Sequence, residues 1–435
     1  MTASGFLQRA GCQRRASGGA STAGSPSRSA APTLFDLAAR TLTHADAFAL
    51  SADQQVVLDR VRQCLADEDG PRAVVVVAGA AGTGKSALAL TLLGEALRAG
   101  RRARHATGSQ AFTTALRKSA GHGSRATQKL FQYFGTAADT EPAGLDLLVC
   151  DDAHQLRATS NTRYTPASRR SDRTQAVQLL ETARVVVFLL DEDQAIRPGQ
   201  IGTRDYLTAA ARASGATVHR AELKSQHRHS SACYDSWVRR LLGLDGPLRQ
   251  PAPWNTGKEP APRFEFRVAD SPGELEQLLH AKTELGASAR ITAGLCWPWS
   301  DARPGTPLVE DIVIGDWRRP WSVKGQRAVN GLPPSPLWAI DPAGAGQVGS
   351  VYSAQGFEYD YGGVILGPDL VWRDDRWITD PAATRDDALD GATAADVDLW
   401  VRRTYRVLFT RARVGTVLYS ADTETRGLLH ELVNA

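Results

Sequence analysis

The sequence has few cysteines and no long apolar run. Five cysteines are scattered through 435 residues, and none of them forms a CxxC pair. Their odd number and wide spacing argue against a disulfide framework and against a zinc site. No apolar run reaches the ~18 residues that a transmembrane helix requires, so we expect no membrane association. These absences favour reduced thiols in a cytoplasmic protein, at Cys12, Cys64, Cys150, Cys233 and Cys296.

Charge of one sign is not in large excess either. The formal net charge is +4. This balance is compatible with a polyanionic partner but does not require one. It gives no information about protein partners.

The first residues have little apolar and no acidic content. Residues 1–32 are rich in Ser, Ala, Gly and Arg. Such a segment buries too little apolar surface to offset its ordering entropy, so we expect residues 1–44 to form a disordered N-terminal segment. A transit peptide and a misplaced start codon would both produce this composition.

A phosphate-binding motif follows a short β-branched run. Residues 73–78 (AVVVVA) have the composition of a buried parallel strand, and residues 87–99 have that of a helix. The segment between them reads G-x-x-x-x-G-K-S, in which backbone N–H groups and the helix N-terminus bind phosphates. Lys85 would contact the β- and γ-phosphates of ATP, and the Ser86 hydroxyl would bind Mg²⁺. The predicted cofactor-binding residues are Gly79, Ala80, Ala81, Gly82, Thr83, Gly84, Lys85 and Ser86.

A pair of carboxylates follows the strand predicted over residues 145–150. Asp151 is expected to hold Mg²⁺ together with Ser86, and Asp152 to position the attacking water. The segment resembles a DEAH-type Walker B box in which Asp152 replaces the usual Glu. The shorter side chain would place the water ~1.5 Å away from its usual position, which argues more for ATP binding than for fast turnover. An exposed acidic strand end is the alternative interpretation.

Two glutamines are candidates for nucleotide contacts. Gln194 follows the apolar run 185–190, where a glutamine can sense the γ-phosphate in motor ATPases. Gln54 precedes an amphipathic stretch and resembles the adenine-reading Q motif of superfamily 1 helicases. A helix N-cap by Ser51 or Asp53 explains the same residues, and the two interpretations are compatible.

The second half contains three further constellations. Residues 223–228 resemble helicase motif IV, with Arg228 as an arginine finger. Residues 349–358 resemble motif V, with Gln355 and Glu358 at the nucleotide, and residues 405–413 resemble motif VI, with Arg411 as the second finger. Each pattern is weak alone, because such arginines are usually solvated and Gln-Gly is usually a turn. Their order after the phosphate-binding half is typical of a motor.

The amino-acid sequences of several segments are similar to those of the Schlafen group 3-like DNA/RNA helicase domain family. These segments are 291–300, 348–373, 404–419 and Gln226-His227-Arg228 with Tyr234 and Trp237, and the similarity extends over about 50–435. The resemblance implies a superfamily 1-like ATPase with two RecA-like domains. Ala412 departs from the glycine expected after the motif VI arginine, so the cleft could differ slightly.

Alternating strands and helices predict an α/β fold with two RecA-like, doubly wound parallel-sheet domains and a nucleotide cleft between them. We expect these domains at 45–222 and 223–435. The predicted function is that of an ATP-hydrolysing helicase or translocase on single-stranded DNA or RNA. Residues 107–110 are expected to contact the single-stranded nucleic acid. The alternative is an ATP-gated regulatory switch without unwinding activity. A P-loop kinase would leave the second-half motifs unexplained.

Overall fold

The computed structural model describes residues 32–121, 123–138, 140–161, 165, 167–226, 231–246 and 264–434. They form a mixed α/β structure with two parallel sheets, which confirms the predicted fold class at that level. None of the described helices combines the length and apolarity needed to cross a bilayer.

The first sheet has the strand order β3-β2-β4-β5-β1-β6, and all its neighbours are parallel. Its strands are β1 (Ala73–Gly79), β2 (Ala103–Thr107), β3 (Phe131–Tyr133), β4 (Leu145–Asp151), β5 (Ala183–Leu190) and β6 (Thr217–Leu223). The helices of this part are α1 (Leu34–Thr43), α2 (Ala52–Ala66), α3 (Lys85–Arg98), α4 (Gln110–Gly121), α5 (Arg125–Gln128), α6 (Phe134–Ala137), α7 (Gln175–Thr182) and α8 (Arg204–Ala213).

The second parallel sheet has the order β11-β8-β12-β15-β7. Its strands are β7 (Glu265–Val268), β8 (Ala289–Ala293), β11 (Val348–Gly349), β12 (Tyr359–Leu366) and β15 (Ala412–Ser420). Two antiparallel pairs join β9 (Ile312–Ile314) to β10 (Trp317–Arg319) and β13 (Leu370–Arg373) to β14 (Arg376–Thr379). The helices here are α9 (Ser231–Leu241), α10 (Pro272–Glu284), α11 (Val351–Ala354), α12 (Ala394–Phe409) and α13 (Thr423–Asn434).

The β-branched run in β1 forms the centre of the first sheet. Val75 and Val77 pack into the apolar cluster that includes α3, whereas Val74 and Val76 pack into the cluster on the opposite face with α7 and α8. A strand buried on both faces needs apolar side chains at consecutive positions rather than at alternating ones. This requirement explains why the run predicted the strand correctly.

The prediction that residues 1–44 are disordered is wrong for residues 34–43, which form α1, and residues 1–31 lie outside the described residues. A capping box begins the helix: the Thr33 N–H donates to Asp36 Oδ2 (2.7 Å) and the Asp36 N–H donates to Thr33 Oγ1 (3.3 Å). Phe35 and Ala38 are buried against the first sheet's helix layer. Averaged composition concealed this short amphipathic stretch at the end of a polar segment.

The contact between α1 and α3 depends on a glycine. A Cβ atom added at Gly94 would lie 2.1 Å from the Thr41 carbonyl oxygen. That oxygen accepts a hydrogen bond from Arg98 Nη1 at 2.6 Å. The two helices therefore approach more closely than any larger residue would allow.

We predict that Gly94→Ala destabilises the protein by about 1–3 kcal/mol, because α1 must shift away from α3. Gly427→Ala in α13 is the matched control, since a Cβ atom there meets nothing within 4 Å. It should stabilise by about 0.5–1 kcal/mol through helix propensity. Urea denaturation of both variants measures the two changes in the free energy of unfolding. Equal stabilisation by both would contradict the packing of α1 on Gly94.

Candidate nucleotide-binding site

The loop between β1 and α3 has backbone geometry that glycine permits. Gly82 and Gly84 have φ angles of +83° and +74°, in the left-handed region that favours glycine. The Thr83 hydroxyl donates to the Ala80 carbonyl oxygen at 2.9 Å and tightens the turn. The chain thus passes from a buried strand into the N-terminus of a 14-residue helix, an arrangement that attracts anions.

Lys85 begins α3 and is 7% exposed. Its Nζ atom donates to the carbonyl oxygens of Gly79 (2.9 Å) and Ala80 (3.0 Å). The ammonium group therefore lies over the loop that precedes it, at the start of the helix, where it can reach a bound phosphate.

Asp151 lies at the end of β4 and is fully buried. Burial acts to raise its pKa, but the nearby His105 ring and Ser86 hydroxyl and the charge of Lys85 together lower the pKa below its usual range. Its Oδ2 atom lies 3.6 Å from His105 Nε2 and has no hydrogen-bond partner among the described residues. The geometry therefore presents an ionised carboxylate oxygen beside the Ser86 hydroxyl.

Asp152 is the next residue, and its backbone is in the left-handed region at φ +53°. Its Oδ2 atom is buried without a hydrogen-bond partner in the described part of the chain. Burial, and then the negative charge of Asp151, raise the pKa of Asp152 to about 7, while Lys85 and Arg411 act in the opposite direction. The two adjacent carboxyl groups are thus in different protonation states below neutral pH.

The residues predicted to bind Mg²⁺ fit a metal that is held mainly through a nucleotide. Ser86 and Asp151 supply hydroxyl and carboxylate oxygens, which Mg²⁺ prefers. Within the described ranges no group of three or more His, Cys, Asp or Glu side chains could hold a metal. Mg²⁺ is commonly bound through one or two protein oxygens together with substrate phosphates and water, and this donor set matches that pattern.

Gln194 lies after β5, in the acidic loop 191–194. Its Nε2 atom donates to Asp191 Oδ2 at 2.8 Å, and its backbone carbonyl oxygen accepts from Gln355 Nε2 at 2.9 Å. Gln355 lies just after α11 and is 5% exposed. It therefore binds the acidic loop, whereas Gly356 and Glu358 line the cavity.

Arginines from α9 and α12 hold the same acidic loop. Arg406 makes two hydrogen bonds of 3.0 Å to Asp235, and its Nη1 atom lies 3.6 Å from Asp191 Oδ2. Arg239 forms an ion pair with Asp193. Arg406 was not predicted as a site residue, because the motif pattern pointed only to Arg411. The signal was present as a second arginine five positions before Arg411, near the end of α12.

Arg411 connects α12 to β15 and is 3% exposed. Its Nε atom donates to the Val407 carbonyl oxygen at 2.8 Å and its Nη2 atom to Thr410 Oγ1 at 3.3 Å. The structure brings Arg411 into the same cavity as Lys85 and Asp152. The other predicted finger, Arg228, lies outside the described residues.

Gln54 supports the phosphate-binding loop. Its Nε2 atom donates to the carbonyl oxygens of Thr83 (3.0 Å) and Gly84 (3.3 Å), and its Oε1 atom accepts from the Ser51 N–H (2.9 Å). The hydrogen bond to Oε1 is part of the cap of α2, with Ser51 as the N-cap residue, as the helix-capping interpretation predicts. An adenine contact stays a prediction, and it would have to share or replace these bonds.

The segment 107–110 is mostly internal. Ser109 donates its N–H to Thr107 Oγ1 at 3.2 Å, and both residues are buried. Gln110 is the exposed residue of the four. A contact between this segment and single-stranded nucleic acid stays a prediction.

A cavity of about 1090 Å³ joins the carboxyl edge of the first sheet to the amino edge of the second. Several predicted site residues do not line it: Gly79, Ala80, Thr83, Asp151 and Gln355. The first side contributes Gln54, Ala81, Gly82, Gly84, Lys85, Ser86, Asp152 and Gln194; the second contributes Glu265, Lys282, Gly356, Glu358, Asp360, Tyr361, Arg411 and Arg413.

A family model, the Schlafen group 3, DNA/RNA helicase domain, matches residues 72–422, which is more than half of the chain. The chain belongs to this family. The resemblance inferred from the motifs is thereby confirmed.

Solved structures show only distant likeness to this Schlafen group 3 helicase domain. Nonstructural protein 10 of an arterivirus, a helicase in complex with DNA, is 13% identical, with a TM-score of 0.35 over 86% of this chain and 66% of its own. Pif1 helicase from Candida albicans is 13% identical, with a TM-score of 0.34 over 88% and 96%. AMPPCP-bound DnaA from Aquifex aeolicus is 18% identical, with a TM-score of 0.25 over 47% and 56%, so the chain spans little more than half of its length. No curated protein sequence matches the chain. These low scores add nothing to the family assignment.

The pKa of Asp152 predicts a pH dependence of stability in the nucleotide-free and magnesium-free helicase domain. The folded carboxyl group keeps its proton up to about pH 7, whereas the unfolded one loses it near 3.8. The folded state binds more protons between these values, so the free energy of unfolding falls as pH rises through this window. From pH 5 to pH 7 this contribution is about 2–3 kcal/mol.

Asp152→Asn should remove that fall, and urea denaturation from pH 5 to pH 8 measures it. Burial lowers the pKa of His154 to about 3, so His154 gives the opposite dependence below pH 6.5 in both proteins. The comparison is therefore the difference between the two pH profiles. Parallel profiles would show that Asp152 is already ionised at pH 5.

Proposed function

We propose that the protein binds Mg-ATP in this cavity and hydrolyses it as a helicase- or translocase-like motor on single-stranded DNA or RNA. One observation carries the proposal: Arg411, just before β15 of the second sheet, shares a cavity with Lys85 and Asp152, which follow strands of the first sheet. A guanidinium group supplied across such a cavity stabilises the charge of a phosphoryl-transfer transition state. Membership of a DNA/RNA helicase domain family supports the class of partner.

In this proposal the phosphates bind at the N-terminus of α3, and Lys85 exchanges the carbonyl oxygens of its own loop for the β- and γ-phosphates. Ser86 and Asp151 hold Mg²⁺, which would neutralise phosphate charge when bound. Asp152 orients the attacking water and accepts its proton. A base whose pKa is near 7 is matched to work at neutral pH.

We propose two RecA-like domains on either side of the cavity, the first extended to include α1 and ending near 222, the second over 223–435. Gln194 would respond to the γ-phosphate. Its backbone is bound by Gln355 and its neighbour Asp191 by Arg406, so a movement of Gln194 would pull on the second domain. Closure of the cavity on ATP and its reopening after hydrolysis would then move the protein along the bound single-stranded DNA or RNA. Arg228 is proposed as a second finger on its sequence motif alone.

The second candidate function is an ATP-gated regulatory switch. The observation that favours it is Asp152, whose short side chain is buried and protonated below about pH 7. A base on so short a side chain is poorly placed for the attacking water, which slows hydrolysis and lengthens the ATP-bound state. Such a protein would control a partner without moving along nucleic acid.

We predict that Lys85→Ala lowers the steady-state ATPase rate at least ~100-fold, because it removes the cation at the phosphates.

Arg411→Ala should lower the rate by ~10³-fold while weakening nucleotide binding far less, because the guanidinium acts mainly on the transition state. Arg376→Ala, at an exposed residue of β14, is the control and should keep the wild-type rate. Near-normal turnover in Lys85→Ala would place the nucleotide site elsewhere.

Single-stranded DNA or RNA should accelerate the ATPase of the wild type and of Arg376→Ala, because binding of the strand favours closure. The acceleration should vanish in Arg411→Ala. The same assays with and without each polymer measure it. A wild type that neither polymer stimulates would rule out the motor and leave the switch.

A further inference from the structure

The cavity lining includes apolar side chains that the nucleotide motifs do not explain. α1 contributes Leu34 and Leu37, and the chain that follows contributes Phe48. Leu285 and Val414 line the cavity from the second sheet's side. Part of α1 thus faces the same space as the phosphate-binding loop, although it precedes the family match over 72–422.

The two leucines lie on one face of α1. Residues three apart on a helix are neighbours on its surface, so Leu34 and Leu37 form one continuous apolar patch. Phe35 and Ala38 are buried in the core, whereas Leu34, Leu37 and Phe48 are only half-buried. The patch therefore keeps apolar surface available to an occupant of the cavity.

α1 is held rigidly at both ends. Phe35 stacks on Phe357 with ring centroids 5.2 Å apart and meets Phe112 edge-on at 5.4 Å. At the other end the Thr41 carbonyl accepts from Arg98 and packs on Gly94. The patch is thus in place before any ligand arrives, which reduces the entropy lost on binding.

The charged groups that line the cavity from the second sheet's side are already paired with one another. Lys282 binds Glu265 at 2.6 Å, and Arg413 binds Asp360 at 2.7 Å. They reduce the charge that this side presents to a neutral ligand. The cavity therefore offers an anion site at the loop and an apolar surface at α1.

We propose that the apolar face of α1, Leu34 and Leu37, together with Phe48, is the surface on which the purine base of the bound nucleotide packs. The inference rests on the proposed function, since it assumes that a triphosphate occupies the loop. A nucleotide joins an anionic chain to a flat apolar ring, and its two parts match the phosphate-binding loop and the apolar side chains that line the same cavity. The N-terminal helix then supplies base affinity to a phosphate site built by the family domain.

The test compares two probes that differ in the presence of a nucleoside: β,γ-methylene ATP and inorganic tripolyphosphate, each with Mg²⁺. Calorimetric titration of the wild type should show tighter binding of the nucleotide analogue. In the double variant Leu34→Ala, Leu37→Ala the analogue should bind roughly tenfold more weakly, because methylene contacts with the base are lost. Tripolyphosphate should bind as in the wild type. Alanine maintains the helix, and the retained tripolyphosphate affinity shows that the loop is folded.

The matched control is Arg40→Ala, an exposed residue of α1 paired with Asp46 and absent from the cavity lining. It should change neither affinity. An unchanged analogue affinity in the double variant, an equal loss for both probes, or equal binding of both probes by the wild type would each overturn the inference. A wild type that binds neither probe would instead refute the proposed function.

Discussion

Asp191 is bound by a buried arginine that comes from the other half of the chain, and the arrangement of the cavity depends on this contact. Arg406 is 1% exposed, and its guanidinium lies between Asp191, directly after β5 of the first sheet, and Asp235 of α9. Removing one partner of such a group leaves an uncompensated buried charge, at a cost of about 3–5 kcal/mol. The pairing therefore fixes the carboxyl edge of the first sheet against α12, the helix that leads to Arg411.

The rest of the acidic loop follows from the same constraint. Arg403 donates to the Ala195 carbonyl oxygen at 3.3 Å, and Arg197 lies over the Tyr352 ring at 3.5 Å. The loop after β5 is thus bound to α11 and α12 although its strand belongs to the first sheet. If the cavity closes on a nucleotide as proposed, this loop moves with the second half. Gln194 would then report the γ-phosphate to both halves.

The parts of this structure that the sequence predicted are those that depend on neighbouring residues. The phosphate-binding loop was predictable because a β-branched run, spaced glycines and a helix follow one another directly. The contacts of Gln54 were not, because they join carbonyl oxygens 29 and 30 positions away. The Arg406–Asp235 pair spans 171 positions, and only the folded chain brings it together. α1 was missed for another reason: its capping box occupies four residues at the end of a long polar segment, and composition averages over that length.

The two adjacent carboxylates acquire different chemistry from their surroundings. Asp151 has Lys85, His105 and Ser86 to favour its charged form, whereas Asp152 has the charge of Asp151 against it and a buried oxygen without a hydrogen bond. When the environments of two neighbouring titratable groups shift their pKa values in opposite directions, the two groups can take different chemical roles. The ionised group suits a metal, and the group with a pKa near 7 suits a proton acceptor. Asp152 has a left-handed backbone, and this strain is the structural cost of placing a short carboxylate at the cavity.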